Sequence, residues 1–588
     1  MKKIVYSLLL LTFFNTQSIA QVRQSGIPFT LNDAYRSIFS SETYIPQTEY
    51  SAPDLNKLMK EDLSRVHGPL DNKRIGVAIP VDFSFPSAGS FTTLNDGRQV
   101  WRAQINVNGA LALGLYYDKF SLPDGVKYYL SNTNGKQLLG AYTSASNPDD
   151  GLWANEKVQG GQINLEMDIE AGVDVSQISM HINNVASFYA SISYLQTYAP
   201  DSVSAIYWAY GISSPCEINA ICPIGAAYPD QRHASVHIEY YKTGYIYAGS
   251  GTMMNNVRQD GTPYLLTASH VEATNSTLNS TFSTWVFYFN YETPTCTYTG
   301  GRPDSTQTVS GATFKARSSY DSASTQIVGD FLLLQLRTQV PTSYGAYLSG
   351  WDISTTAPTG TSIGFHHPSG DVKKVSTTTS VNATGDFNGG QANSHWEVKP
   401  FQNGGFEEGS SGSGLFNPSG RLIGDLTGGN SQNEACTTVN SSGVVMNNHG
   451  EYSKLNLNWL YVYQTPSSAA TRLKDWLDPD LTGATQIDAI PTTGSNTAVS
   501  QLNTTNNTVA VFPSPSTGMV YVNGNFSNAT SAKIEVFNII GNKVLEVQTS
   551  SSLLNNYPLD LTAMAPGAYL VRISAGTSMI TKKVLIAK

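Results

Sequence analysis

Three short segments hold the residue types that acyl transfer needs. Tyr264-Leu265-Leu266-Thr267-Ala268-Ser269-His270 is an apolar run that ends in small residues and a histidine. Gly329-Asp330-Phe331-Leu332-Leu333-Leu334-Gln335-Leu336 places an aspartate at the head of a second apolar run. Gly409-Ser410-Ser411-Gly412-Ser413-Gly414-Leu415-Phe416 is a glycine–serine turn feeding a third. A hydroxyl can attack a carbonyl when an imidazole takes its proton and a carboxylate fixes the imidazole tautomer. Ser411, His270 and Asp330 supply those groups, and the backbone N–H groups of Gly409 and Ser411 can hold an oxyanion. Singly, each segment is commonplace: aspartates often precede strands, and glycine–serine turns are everywhere. In the order His, Asp, Ser, separated by 60 and 81 residues, they form a set.

The elements that must carry these groups are strands. Of 588 residues, 40% are hydrophobic and only 13% charged, with 32 Tyr and 50 Gly. Such a mixture suits half-buried strands joined by turns, and the length suggests three or four domains. Val100-Trp101-Arg102-Ala103-Gln104-Ile105-Asn106-Val107 alternates, as do residues 162–169, with Pro123-Asp124-Gly125 and Asn147-Pro148-Asp149-Asp150-Gly151 as turns between. Residues 76–200 therefore read as a β-sandwich, and with His67 the only histidine before His181 they hold little catalytic equipment. Residues 55–66 and 467–477 read as short helices. A polar stretch ending in Asn503-Thr504-Thr505-Asn506-Asn507-Thr508 cannot support a core and reads as a linker. Strand patterns return at 533–539, 567–573 and 582–586, as in a small seven-strand sandwich.

Composition also excludes. A net charge of −9 without a clustered basic surface argues against nucleic acid as a partner. Lys2 and Lys3, the apolar run 4–14 and Ser18-Ile19-Ala20 have the form of a secretory signal peptide cleaved before Gln21. No later stretch reaches the roughly 18 apolar residues that a spanning helix needs. Export implies an oxidising compartment, so Cys216, Cys222, Cys296 and Cys436 are expected to form two disulfides, in any of three pairings. His366 and His367 are neighbours on an expected strand and so face opposite ways, and there is no zincin motif or Cys/His cluster. No metal and no cofactor are expected.

The order His270, Asp330, Ser411 is that of chymotrypsin-like proteases rather than subtilisins or α/β-hydrolases. Residues 211–490 resemble the bacterial lysyl endopeptidases, a branch of the trypsin superfamily. The likeness lies in Cys216-Glu217-Ile218-Asn219-Ala220-Ile221-Cys222-Pro223, the three segments above, Gly364-Phe365-His366-His367-Pro368-Ser369-Gly370-Asp371 and Arg472-Leu473-Lys474-Asp475-Trp476-Leu477-Asp478-Pro479. It implies a two-barrel serine endopeptidase with His270 as general base, Asp330 as its orienter and Ser411 as nucleophile. It also implies the bridges Cys216–Cys436 and Cys222–Cys296, while the two positions of the family's third bridge fall on Gly249 and Val271. Residues 76–200 look like the family's pro-region. Ser410 stands where trypsins carry the acid that receives a freed Ile N terminus, which closes that route of activation.

The specificity pocket departs from the family. Its basal aspartate falls on Gly450, its stacked Trp–His pair on Pro400 and Thr427, and the acid that trypsins carry six residues before the nucleophile on Gly405. Lined by Gly405, Phe406, Thr427, Gly429 and Gly450, the pocket is expected to be open and mostly apolar, accepting large apolar side chains. Glu407, Glu408 and Glu451 are the acids that would restore basic specificity, and Glu407 and Glu408 read as a solvated loop pair.

The C-terminal block resembles the sorting domain of type IX secretion in Phe512-Pro513-Ser514-Pro515-Ser516-Thr517-Gly518, Val536-Phe537-Asn538-Ile539-Ile540-Gly541 and Pro566-Gly567-Ala568-Tyr569-Leu570-Val571. That implies engagement with the type IX machinery and export across the outer membrane. The expected chain is mainly β and has five parts. These are a signal peptide (1–20), a pro-region with a β-sandwich (21–210), a chymotrypsin-like double β-barrel protease (211–490), a linker (491–508) and an Ig-like β-sandwich (509–588). It is expected to act on proteins or peptides as a monomer, secreted or at the cell surface. The rival reading is a non-catalytic adhesin or binding protein on the same fold.

Overall fold

The computed structural model describes residues 26–39, 44–64, 70–190, 213–297, 307–319, 327–429, 449–463, 467–492, 509–512, 516–524, 531–538, 542–550, 554, 557–575 and 578–587. The expected signal peptide and most of the expected linker lie outside these. The chain divides into two compact units, Met1–Asn496 and Thr497–Lys588.

The first unit begins with a sandwich. In one sheet, strand Gln162–Ile169 pairs antiparallel with Gln99–Val107 on one side and Val126–Asn132 on the other. Ser179–Phe188 lies between Lys73–Ser84 and Ala112–Ser121 in the other. Inward-facing aromatics fill the space between, with Trp101, Trp153, Tyr117, Tyr128, Phe83 and Phe120 fully buried. The expected helix at 55–66 forms over Leu55–Ser64.

Two further strand groups follow. In the first, Ser235–Lys242, Tyr245–Met254, Tyr264–Thr267, Leu332–Leu336 and Ala312–Arg317 pair antiparallel in succession, with Val286–Tyr288 and Thr308–Ser310 beyond Ser235–Lys242. In the second, Lys374–Thr378, Ser362–His366, Gly414–Phe416, Leu422–Gly429, Gly450–Lys454, His395–Val398 and Val381–Gly385 pair in that order. Each group encloses an apolar core, and a further cluster joins them, with Leu266 and Leu333 from the first and Ile363 and Phe416 from the second. These are the two barrel-like sheets of a chymotrypsin-like fold.

The sandwich and the first barrel share one sheet. Strand Lys73–Ser84 pairs with Tyr245–Met254, with Val77 opposite Tyr245, Gly76 opposite Ile246, Arg74 opposite Tyr247 and Lys73 opposite Ala248. Ile75, Ala78, Ala112, Tyr116 and Phe188 from the sandwich pack with Ile246, Ala248, Val286 and Tyr288 from the barrel in a single buried cluster. Lys157 forms a buried ion pair with Glu239 across this junction. Glu239 also accepts from the Tyr288 hydroxyl at 3.0 Å and lies 3.0 Å from His237 Nε2. Burial pushes the Glu239 carboxyl upward, but the Lys157 charge and His237 outweigh it and hold it at about 2.

Two expectations need correction. Residues 467–477 are not one helix: a 3-10 turn at Ala469–Thr471 is followed by a separate single turn, Lys474–Leu477. Ser468 and Thr471 close a capping box on the first turn, and Arg472, between the two turns, is extended. The expected linker also starts too early, because Ile490–Pro491 pairs with Tyr347–Leu348 and the Thr492 N–H donates to Ala346 O at 2.8 Å.

The second unit packs a three-stranded sheet, with Met519–Gly524 between Val509–Phe512 and Tyr557–Asp560, and a four-stranded sheet built on Ser531–Asn538 and Gly567–Ala575. Alternate residues such as Ile534, Val536, Val571 and Ile573 point into the core with Val520 and Val522.

Candidate active site

Pairing of Thr267 with Leu332 brings the ends of two strands together, and with them His270 and Asp330. Ala268 remains extended and opens the single helical turn Ser269–Glu272, which carries His270. The Arg317 guanidinium pins that turn from below: it pairs with Glu272 and donates to the Ser269 carbonyl at 3.0 Å and the Ser269 hydroxyl at 2.7 Å. His270 and Asp330 are both fully buried, and Asp330 grips the histidine at two points. Oδ1 accepts the His270 backbone N–H at 2.9 Å, and Oδ2 lies 2.6 Å from Nδ1. The Asp330 N–H donates to Ser453 Oγ at 3.0 Å, and Asn458 Nδ2 donates to the same oxygen at 2.8 Å. Burial pushes the Asp330 carboxyl upward, yet the charge and hydrogen bonds of His270 bring it below its ordinary value. It is therefore the ionised acceptor that fixes a proton on Nδ1. Nε2 accepts no hydrogen bond among the described residues.

Ser411 stands between Gly409 and Gly412, whose φ values are +92° and +81°. A Cβ on Gly412 would lie 2.1 Å from Thr267 Oγ1 and 2.6 Å from Ala268 N. Only glycine lets the turn press against the strand end that leads into His270. The Ser250 N–H donates to the Ser411 carbonyl at 3.0 Å, and the Ser250 hydroxyl donates to the Gly409 carbonyl at 2.8 Å. Within the turn, Ser410 N–H and Gly412 N–H are taken by the carbonyls of Glu407 and Leu426, both at 2.9 Å. Among the described residues, no backbone carbonyl takes the N–H of Gly409 or of Ser411. No hydrogen bond joins Ser411 to His270 in this structure.

Among the expected pocket residues, Gly429 pairs with Gly450, and aromatic rings stand behind both. A Cβ on Gly429 would lie 2.5 Å from Phe406 Cζ, and one on Gly450 would lie 3.2 Å from Phe401 Cζ. The two rings stand 6.1 Å apart within an apolar cluster that includes Leu426 and Tyr452. Thr427 is buried, with Oγ1 3.1 Å from His395 Nε2. Gly405 lies in the segment leading to Phe406. Glu407 and Glu408 are not a solvated pair: Glu408 is buried, and Glu407 accepts the Ser214 N–H at 2.6 Å and the Ser369 hydroxyl at 2.8 Å. The order of acids along the chain could not show that the segment after residue 212 folds back onto this loop.

Cys222 is bonded to Cys296. Cys216 is disulfide-bonded too, and Cys436 lies outside the described residues. Val271 Cγ1 lies 3.4 Å from where a Gly249 Cβ would stand, so the two positions of the missing third bridge do face each other. His366 and His367 turn to different partners, Nδ1 of His366 lying 2.8 Å from Ser410 Oγ and Nδ1 of His367 lying 3.0 Å from Asp371 O.

Sequence reasoning missed several buried ionisable groups around the site. Asp425 is fully buried, both its oxygens lack hydrogen bonds among the described residues, and burial with Asp330 nearby pushes its carboxyl well above its ordinary value. Burial and Glu407 do the same to Glu217. Burial pushes His395 down to about 4. None of these has a local signature, because partners from distant segments create each environment.

A family model for the lysyl endopeptidase C-terminal domain matches residues 210–444, and one for the secretion system C-terminal sorting domain matches 510–587. A lysyl endopeptidase of Pseudomonas aeruginosa is 26% identical over 349 residues, spanning 57% of this chain and 70% of that protein. Among solved structures, a Glu endopeptidase is 15% identical with a TM-score of 0.24, covering 40% of this chain and 87% of that one. The protease Anisep of Arthrobacter nicotinovorans is 14% identical with a TM-score of 0.25, covering 38% and 90%. At such scores the structural likeness carries no argument, and the fold rests on the strand pairing described above.

Proposed function

We propose that this lysyl endopeptidase-like serine protease hydrolyses peptide bonds by acyl transfer, with Ser411 as nucleophile, His270 as general base and Asp330 as its orienter. The observation that carries the reading is the two-point grip of buried Asp330 on His270, which leaves Nε2 without a partner beside the Gly409–Gly412 turn. A proton held on Nδ1 makes Nε2 the basic nitrogen. Nε2 takes the Ser411 proton as Oγ attacks the peptide carbonyl, and returns it to the departing amine. Water, activated by the same nitrogen, then releases the acyl group. The N–H groups of Gly409 and Ser411, which no backbone carbonyl among the described residues occupies, are the donors for the oxyanion. A serine-reactive phosphonate should label Ser411 and leave a Ser411→Ala chain unlabelled; labelling of Ser413 instead would refute the assignment.

The residue before the scissile bond is read as large and apolar. Glu407 is spent on Ser214 and Ser369, while Phe401 and Phe406 back the glycines of the pocket. Comparing kcat/KM for matched substrates ending in Phe, Leu, Lys and Arg tests this. A Lys preference above about a hundredfold, near 2.7 kcal/mol in transition-state binding, would overturn it.

With its sorting domain the protein is secreted or at the cell surface. Residues 1–20 are read as the signal peptide, 21–210 as the pro-region, the segment from 493 to 508 as the linker and 509–588 as the part addressed by the type IX machinery.

A further inference from the structure

Strand His395–Val398 pairs antiparallel with Gly450–Lys454 and sets Glu397 directly opposite Glu451. Two carboxylates facing each other across a strand pair repel. His449 adds an imidazole beside them, its Nε2 3.7 Å from Glu451 Oε1. One ligand atom from each of Glu397, His449 and Glu451 can be chosen so that all three lie within 4.8 Å of one another. Glu451 is only 7% exposed, and its Oε2 is buried without a hydrogen bond among the described residues. A buried carboxylate oxygen with no donor is costly unless a proton or a cation serves it. The neighbouring strand gives way at that point: a Cβ on Gly385 would lie 2.6 Å from Glu451 Oε2. Lys454 does not bond to the cluster, since its Nζ donates to the carbonyls of Ala383 and Asn393 at 2.6 and 2.8 Å. Asn382 Nδ2 holds Glu397 from the open side at 3.1 Å.

We propose that Glu397, His449 and Glu451 form a binding site for a divalent transition cation, with Zn²⁺ the preferred ion. One imidazole nitrogen and two carboxylates suit that borderline class, whereas Ca²⁺ takes six to eight oxygens and Mg²⁺ keeps most of its water. Ligand atoms about 2.0–2.2 Å from a shared ion stand about 3.5 Å apart in a tetrahedron, so small side-chain rotations close the site and leave a fourth position for water. The expectation of no metal rested on the opposed His366 and His367 and on the lack of a zincin motif or Cys/His cluster, and this Glu/His cluster is none of these. The cation would cross-link two strands at Gly450, the pocket position, three residues before Ser453, which anchors Asp330. Its role is structural, clamping one wall of the substrate site.

The test uses the full chain carrying Ser411→Ala to prevent self-digestion, stripped with a chelator and dialysed against Zn²⁺ alone. One equivalent of Zn²⁺ should be retained and should raise the melting temperature, while Ca²⁺ at the same concentration should not. His449→Ala, Glu397→Gln and Glu451→Gln should each weaken Zn²⁺ binding about tenfold or more. Glu397 and His449 are the partly exposed members, so their variants keep the test open should Glu451→Gln fold poorly. Metal-free Glu451→Gln should melt no lower than the parent, since it loses a repulsion. Retention of no Zn²⁺, or binding that none of the three variants weakens, would overturn the site.

Discussion

Replacing Ser411 by alanine removes one oxygen from a turn whose shape is set by backbone contacts, so the fold should survive while kcat/KM falls about ten-thousandfold or more. His270→Ala and Asp330→Asn should be similarly severe, and a double variant should be little worse than either, because the three groups act as a unit. Gly412→Ala should cost both stability and turnover, since its Cβ would collide with Thr267 and the turn would leave His270. Asp425 gives a pH prediction. Its native carboxyl is held far above the ordinary 3.8. Below that value both folded and unfolded forms are protonated and nothing is lost; above it only the unfolded form ionises, so the native state loses stability as pH rises. Asp425→Asn should therefore stabilise the Ser411→Ala protein at pH 8 and not at pH 3, as denaturant melts at the two pH values will show. The His270–Asp330 pairing was legible because both residues sit in recognisable segments. Asp425 was not, because a lone aspartate in an apolar strand says nothing of the second carboxylate that Asp330 brings near it.

Elements with a strict period were read well. Residues 162–169 alternate and form a strand with the same bounds, Gln162–Ile169, as the core of one sheet. Residues 467–477 carried enough apolar positions for a helix, but the backbone turns extended at Arg472 after the first turn and breaks the run. The Cys222–Cys296 bridge ties the start of the catalytic domain to a segment 74 residues on. Replacing both cysteines by alanine should lower stability by about 2–4 kcal/mol, measured by denaturant unfolding of the Ser411→Ala chain. His270 lies within that loop but is held by Asp330 and by its own helical turn rather than by the bridge, so kcat at low temperature should change little.

At the scale of the molecule, removing residues 509–588 should leave peptidase activity intact and prevent surface delivery, because the second unit has its own core and holds none of the triad. Loss of activity in the purified truncated enzyme would show that the units are not separable. Sequence patterns separated the N-terminal sandwich from the barrels but could not reveal that one sheet runs through both, since the pairing of Val77 with Tyr245 leaves no trace in either segment alone. Lys157→Met should cost about 3–5 kcal/mol by stranding the buried Glu239 carboxylate, and adding Glu239→Gln should recover much of it. The shared sheet has one more consequence. A single cut between residues 191 and 212 would leave every rung of that sheet in place yet turn an intramolecular contact into an association of two chains. Mass action would then govern the catalytic barrel: dilution would draw the pieces apart, and the melting temperature of the nicked protein would climb with its concentration, while that of the intact chain would not.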